Sequence, residues 1–269
     1  MNSTSIERPS VKLMITVMCA TLYAVGSYMT AYIPSPWGFG QFRPAVVIPA
    51  FFAVVFGPQP AAVGVALGTL LVDSIKHGYI YPGSLIAAVP GNFLGFYLIG
   101  WFLWRKFSWS RFILISNIGL LVANIVVAFL YVFAYKVLYQ SQYIGTSVSV
   151  LVALALGLTL FWFVTMLPFV LLITPTLIQV AVNTFPSFVS PDLIEALGRK
   201  VPGNELGVSM LGPGVILLVV GLLVTYTGLG SWMLNNPAFG AIAKSIIEVL
   251  CYVCGAVLSA LGLYFFRRI

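Results

Sequence analysis

Charge is scarce in this chain. Its 269 residues include thirteen Lys and Arg, six Asp and Glu and one histidine, so 7% of side chains are charged against 61% hydrophobic. A soluble globule of that composition would leave far more apolar surface than one core could hide. The lone His77 has no second histidine and no H-E-x-x-H around it, so no metal-ligand set is visible. No Walker A sequence and no G-x-G-x-x-G opening a helix occurs, so the chain does not encode nucleotide hydrolysis. With His77 the only candidate base, no Ser-His-acid set for acyl transfer can be assembled. The chain therefore reads as a non-enzyme without a cofactor. Cysteine is equally sparse: Cys19 is alone in an apolar run, and Cys251 and Cys254 form a C-x-x-C inside another, where they read as small packing residues. The net charge of +7 sits at the ends of apolar runs rather than in a stripe with interleaved aromatics, which excludes nucleic acid as a partner.

What the chain has in abundance is long apolar runs. Runs set against breakers predict helices over 12–33, 44–57, 61–77, 84–104, 111–138, 149–183, 212–234 and 239–267, about eight crossings of a hydrocarbon core roughly 30 Å thick. The expectation is an all-α, polytopic transmembrane bundle forming one integral-membrane domain over 1–269. The opening "MNSTSIERPSVK" enters its apolar run without a small-x-small cleavage site, so that run is read as a retained first span. The second and third runs are short and separated by "GPQP", which leaves open a re-entrant hairpin or two full spans. The sixth is over-long and holds Pro168 and Pro175, so a tilt or kink is expected.

A cytoplasmic N-terminus places Arg8, Lys12, Arg105, Lys106, Arg111, Arg199, Lys200, Arg267 and Arg268 inside and only Arg43, Lys76, Lys136 and Lys244 outside. The positive-inside rule favours that orientation, with both termini cytoplasmic in the cell membrane. Arg43 then lies where the outer loop "IPSPWGFGQFRP" meets the second helix, and Asp73, Lys76 and His77 share one face at the outer end of the third. Charges there must pair or face water. Asn92 and Asn124 lie deeper, where an amide either joins helices or meets a ligand. Trp37, beside glycines in the outer loop, is suited to close over a flat organic molecule. These six residues, Arg43, Asp73, Asn92, Trp37, His77 and Asn124, are the candidate ligand contacts: Arg43 for an anionic group, Asp73 for an amine or hydroxyl, Asn92 for polar edges. The competing reading is that the charges grip only one another. In the first helix Ala20 and Ala24 stand four apart, a spacing that admits another helix closely. Lys244 and Glu248 are set to pair within the last helix.

The A-x-x-x-A of the first helix, its "IP" exit, the "FGP" that ends the second, the small-residue third helix "AAVGVALGTLLVDSI" with its acid, and "PGNFLGFYLIG" followed by "WRK" together resemble the S component, the substrate-binding membrane subunit, of energy-coupling factor (ECF) transporters. The resemblance covers about Met14 to Lys106 well, and Arg111 to about Asn183 as two further helices. It implies a six-helix core over 1–185 that captures a vitamin-like or other small organic micronutrient beneath the loop after the first helix. It also implies a transmembrane coupling subunit and two cytoplasmic ATPases as partners, with Ala20 and Ala24 in the docking motif. The chain departs from the family after Asn183, where a cytoplasmic connection over 186–211 leads to an additional helical hairpin over 212–269, about two extra helices. Two other readings remain: a self-sufficient secondary transporter relaying protons through Asp73 and His77, and a structural subunit of a larger membrane complex.

Overall fold

The computed structural model describes residues 8–104, 106–186, 189–235, 239 and 243–267. In chain order its helices are α1 (Pro9–Tyr28), α2 (Val47–Phe56), α3 (Pro58–His77), α4 (Val89–Leu103), α5 (Trp109–Phe129), α6 (Val137–Tyr139), α7 (Val148–Thr184), α8 (Pro191–Leu197), α9 (Gly203–Tyr226), α10 (Gly228–Leu234) and α11 (Ala243–Phe266). A π-helical turn, Ser84–Ala88, leads into α4, and a second, Leu130–Lys136, joins α5 to α6. Pro9, Pro58 and Pro191 open their helices at the first turn, where the missing N–H removes no internal bond.

Six of these helices are long and apolar enough to cross a membrane: Pro9–Tyr28, Ser84–Leu103, Trp109–Tyr139, Val148–Thr184, Gly203–Tyr226 and Lys244–Phe266. The protein is an all-α, polytopic membrane protein. α7 runs through Pro168 and Pro175 as one helix of 37 residues. At 1.5 Å per residue that is about 55 Å, well beyond the hydrocarbon thickness, so it must tilt or project.

Between apolar helices in lipid, close packing replaces the hydrophobic drive, and small residues supply it. A Cβ on Gly68 of α3 would lie 2.6 Å from the Ala20 carbonyl oxygen of α1, and one on Gly95 of α4 would lie 2.4 Å from the Ala123 Cβ of α5. α5 then packs on α7, closing the N-terminal bundle. The C-terminal pair α9 and α11 packs chiefly on itself and meets the bundle through α5 and α7. Two polar links fasten it there: Asn117 Nδ2 donates to Ser209 Oγ at 2.6 Å, and Ser110 Oγ to Glu205 Oε1 at 2.8 Å. Lys244 and Glu248 pair at 3.7 Å, as their spacing predicts.

Helix ends differ from the sequence reading most at α1, which ends at Tyr28 rather than 33, and at α9. α9 begins at Gly203, not at 212, and ends at Tyr226, where the extended Thr227 separates it from α10. Pro213, at the start of the expected helix, lies well inside α9, and Leu206, Gly207 and Met210 before it are buried. Packing in a membrane helix tolerates such a proline. Arg105 and Arg268 of the inner basic set, and 240–242 at the start of the expected last helix, lie outside the described residues.

Candidate ligand-binding site

α2 has ten residues, about 15 Å of helix, and cannot cross a core of roughly 30 Å. Its C-terminal end is fixed where Gly57 lies against Trp104 and Pro58 against Gly100, at the end of α4. The hairpin of α2 and α3 thus reaches the far end of the bundle, and the missing depth is filled by the α1–α2 loop, which dips between helices. Ala31, Ser35, Gln41 and Arg43 are buried in it.

Irregular backbone at membrane depth must find its partners inside the protein. Here Pro34 and Gln41 form an antiparallel bridge, Phe42 N donates to Ile33 O at 2.9 Å, and Gly38 N donates to Ser35 O at 2.9 Å. Thr30 Oγ1 donates to Phe42 O at 2.8 Å, and the Ser35 hydroxyl donates to Phe39 O. Gly38 and Gly40, with φ of 76° and 73°, take the left-handed turns that a Cβ would oppose. The loop is pinned to α7: Trp162 Nε1 donates to Gln41 O at 3.2 Å, and a Cβ on Gly40 would meet the Trp162 ring at 2.6 Å.

Beneath the loop is a cavity of about 250 Å³. Arg43, Asp73, His77, Asn92 and Asn124, all expected from the sequence as ligand contacts, line it. Trp37 does not. Its ring lies against Gly157 of α7 and borders a second, apolar cavity between α7 and the α9–α11 pair. Ala20 and Ala24 are buried, and Ala20 lies close against Gly68 of α3.

The Arg43 guanidinium donates to the Asp73 carboxylate, forming an ion pair buried on both sides. Tyr23, fully buried, faces the same guanidinium without reaching hydrogen-bond geometry. Lys76 Nζ donates to Ala31 O at 2.5 Å, tying α3 to the loop. The buried Gln41 amide, with its nitrogen toward Ala31 O, accepts from Arg43 Nε at 3.1 Å. His77 Nδ1 lies 2.7 Å from Asp73 O, and its ring stacks on Tyr81 with centroids 3.9 Å apart and planes 1° apart. Burial, with Tyr131 and Tyr135 beside it, pushes the Tyr81 hydroxyl up from its ordinary value, so it stays protonated and shares a 3.0 Å hydrogen bond with Tyr131.

Deeper in, Asn92 Nδ2 donates to Thr69 Oγ1 at 2.9 Å. Asn124 Nδ2 and Ser84 Oγ are buried and have no hydrogen-bond partner. Both π-helical turns border the cavity, through Ser84 and Tyr131. Such turns recur at functional sites because they re-aim side chains. Pro90, unable to donate four residues back, gives the first its local cause. Behind the loop, Lys136 is buried with its ammonium 3.6 Å from the Phe39 ring centroid and 3.0 Å from Gln140 Oε1. That cation–π contact holds Phe39 in the cavity wall.

Sequence reasoning did not single out Trp162, Gln41, Ser84, Thr69 or Tyr131. Gln41 carried a signal, being an uncharged polar residue two positions from Arg43 in an apolar chain. The others are of types that membrane helices bury routinely.

Fold and cavity together define a class: a polytopic helical membrane protein with a polar, loop-capped cavity within its bundle. No protein-family model, curated protein or solved structure matches the chain. Among the described residues no group of three or more His, Cys, Asp or Glu could hold a metal ion.

Proposed function

We propose that the chain is a solute-capture subunit of a membrane transport system, binding a small organic molecule in the cavity beneath the α1–α2 loop. One observation carries the reading: five polar residues, spread from Arg43 to Asn124 in sequence, converge on one cavity whose lid is pinned by its own hydrogen bonds. A merely structural polar cluster would close on itself, whereas this one leaves space and unpartnered polar atoms. The resemblance to ECF S components is consistent with it, and on that reading a coupling subunit and two ATPases supply the energy. Because Ala20 and Ala24 are buried, such a partner would meet the exposed ridge of α1 formed by Met14, Met18 and Val25. A proton relay through Asp73 is less well supported, since its carboxylate is committed to Arg43.

The test is retention. Purified protein in nanodiscs is incubated with an aqueous small-molecule extract, desalted and examined by native mass spectrometry. One retained solute per chain is expected, with retention weakened by Asn92→Ala in a variant of unchanged melting temperature. No retained solute would count against capture, and solute counterflow by the chain alone in liposomes would replace the subunit reading with a self-sufficient transporter.

A further inference from the structure

Of the chain's six acidic residues only Asp73 lines the cavity, and the Arg43 guanidinium already holds it. Glu7 lies outside the described residues, ahead of α1, whose far end is the one that feeds the loop. Asp192 and Glu195 belong to α8, where Glu195 pairs with Arg199 at 2.6 Å, while Glu205 accepts from Ser110 and Glu248 pairs with Lys244. Two lysines beside the cavity are left over. Lys76, half-buried, lines it and has three protons to give; one goes to the Ala31 carbonyl at 2.5 Å. The Gln41 amide, with its nitrogen turned toward Ala31 O, offers Lys76 no acceptor, and the exposed Tyr32 ring lies 5.7 Å from the ammonium. Lys136, 4% exposed, stands behind Phe39 with its ammonium on that ring and on Gln140 Oε1. Among the described residues neither lysine forms an ion pair with a carboxylate. Arg43 and Asp73 cancel, so the cavity carries an excess of positive charge. Low-dielectric walls focus such a field, which draws in an anion and repels a cation. A phosphate would bring up to two charges and three acceptor oxygens, more than one lining ammonium matches, whereas a single carboxylate balances it. The volume of about 250 Å³ lies just below the usual range of about 300–1,000 Å³ for ligand pockets, which suits a small molecule.

We infer that the captured solute is a small organic carboxylate whose anionic group accepts from Lys76 Nζ. Arg43, the residue that the sequence suggests for an anion, is spent on Asp73, and Lys76 takes that role in its place. This rests on the solute-capture reading and narrows it.

Fractionating the aqueous extract tests it. Before incubation with nanodisc-embedded protein the extract is split on an anion exchanger into bound and flow-through fractions, and a portion of the bound fraction is treated with phosphatase. Native mass spectrometry is expected to find the retained solute in the bound fraction, with retention unchanged by the phosphatase. Lys76→Gln, which keeps a donor for Ala31 O without the charge, is expected to weaken binding of that solute by on the order of ten-fold, and Lys76→Arg to preserve it. The wild-type fractionation stands even where a variant does not fold. A solute retained from the flow-through, retention lost after phosphatase, or undiminished retention by folded Lys76→Gln overturns the inference while capture stands. If neither fraction yields a retained solute, both fall.

Discussion

Arg43, at the entrance to α2, and Asp73, one turn before the end of α3, form a buried ion pair across thirty residues of sequence. The pair closes the mouth of the α2–α3 hairpin at the level of the cavity. Removing one partner strands the other charge in a low-dielectric site, at a cost of about 3–5 kcal/mol, whereas replacing both by apolar groups of similar size is often close to neutral. Arg43→Ala and Asp73→Ala are each expected to lower stability by that order, and Arg43→Met with Asp73→Leu to recover most of the loss. Thermal unfolding in detergent checks this as a double-mutant cycle. Single variants that unfold within about 1 kcal/mol of wild type would mean that water reaches the pair.

That pairing also shows what the sequence could and could not reveal. Apolar runs located every long helix, because the bilayer demands a length and a composition that few other structures share. The scarcity of charge made Arg43, Asp73, His77, Asn92 and Asn124 conspicuous, and they do meet at one cavity. Their partners were hidden. An arginine beside an acid-bearing helix end fits an ion pair and an anion site equally well, and only geometry separates the two. Small-residue spacing announced a close helix contact at Ala20 but not that α3 makes it. Trp37 was read as a lid because of its glycine neighbours, yet the notch that receives it is Gly157, far away in sequence. Trp162 looked like any other aromatic in an apolar helix.

The loop glycines make a second test. Gly38 and Gly40 share a left-handed backbone, but a Cβ on Gly38 meets nothing within 4 Å, while one on Gly40 meets the Trp162 ring at 2.6 Å. Gly38→Ala should therefore cost only the backbone term, about 1–2 kcal/mol. Gly40→Ala should cost more and should also displace Trp162 from Gln41 O. Melting temperature reports the first difference, and intrinsic tryptophan fluorescence the second. Equal effects on both measures would show that the loop is not pressed against α7.

The distribution of basic residues predicts an orientation that can be read chemically. With the chain's cysteines replaced by serine or alanine, Tyr79→Cys, at an exposed position beyond α3, should react with a membrane-impermeant maleimide on intact cells. Arg199→Cys, at a side chain 75% exposed after α8, should react only after permeabilisation. The reverse pattern would place the cavity mouth in the cytoplasm and turn capture from outside into export or internal sensing.

The C-terminal pair offers a test of whether the site depends on it. Within α9, a Cβ on Gly212 would meet nothing within 4 Å, whereas one on Gly214 would lie 2.6 Å from Ser259 Oγ and 2.7 Å from Ser259 N of α11. Gly212→Ala only stiffens a helix already formed and should stabilise by about 0.4–1 kcal/mol. Gly214→Ala pushes backbone against backbone and should destabilise by about 1–3 kcal/mol, the usual cost of overpacking. No residue lining the loop-capped cavity comes from α9 or α11. Solute retention should therefore survive Gly214→Ala at temperatures below its lowered melting point. Lost retention in a folded variant would mean that the pair supports the loop, and the route is visible in the structure: Trp37 borders the apolar cavity that α9 and α11 help to line, two residues before Phe39 enters the wall of the site.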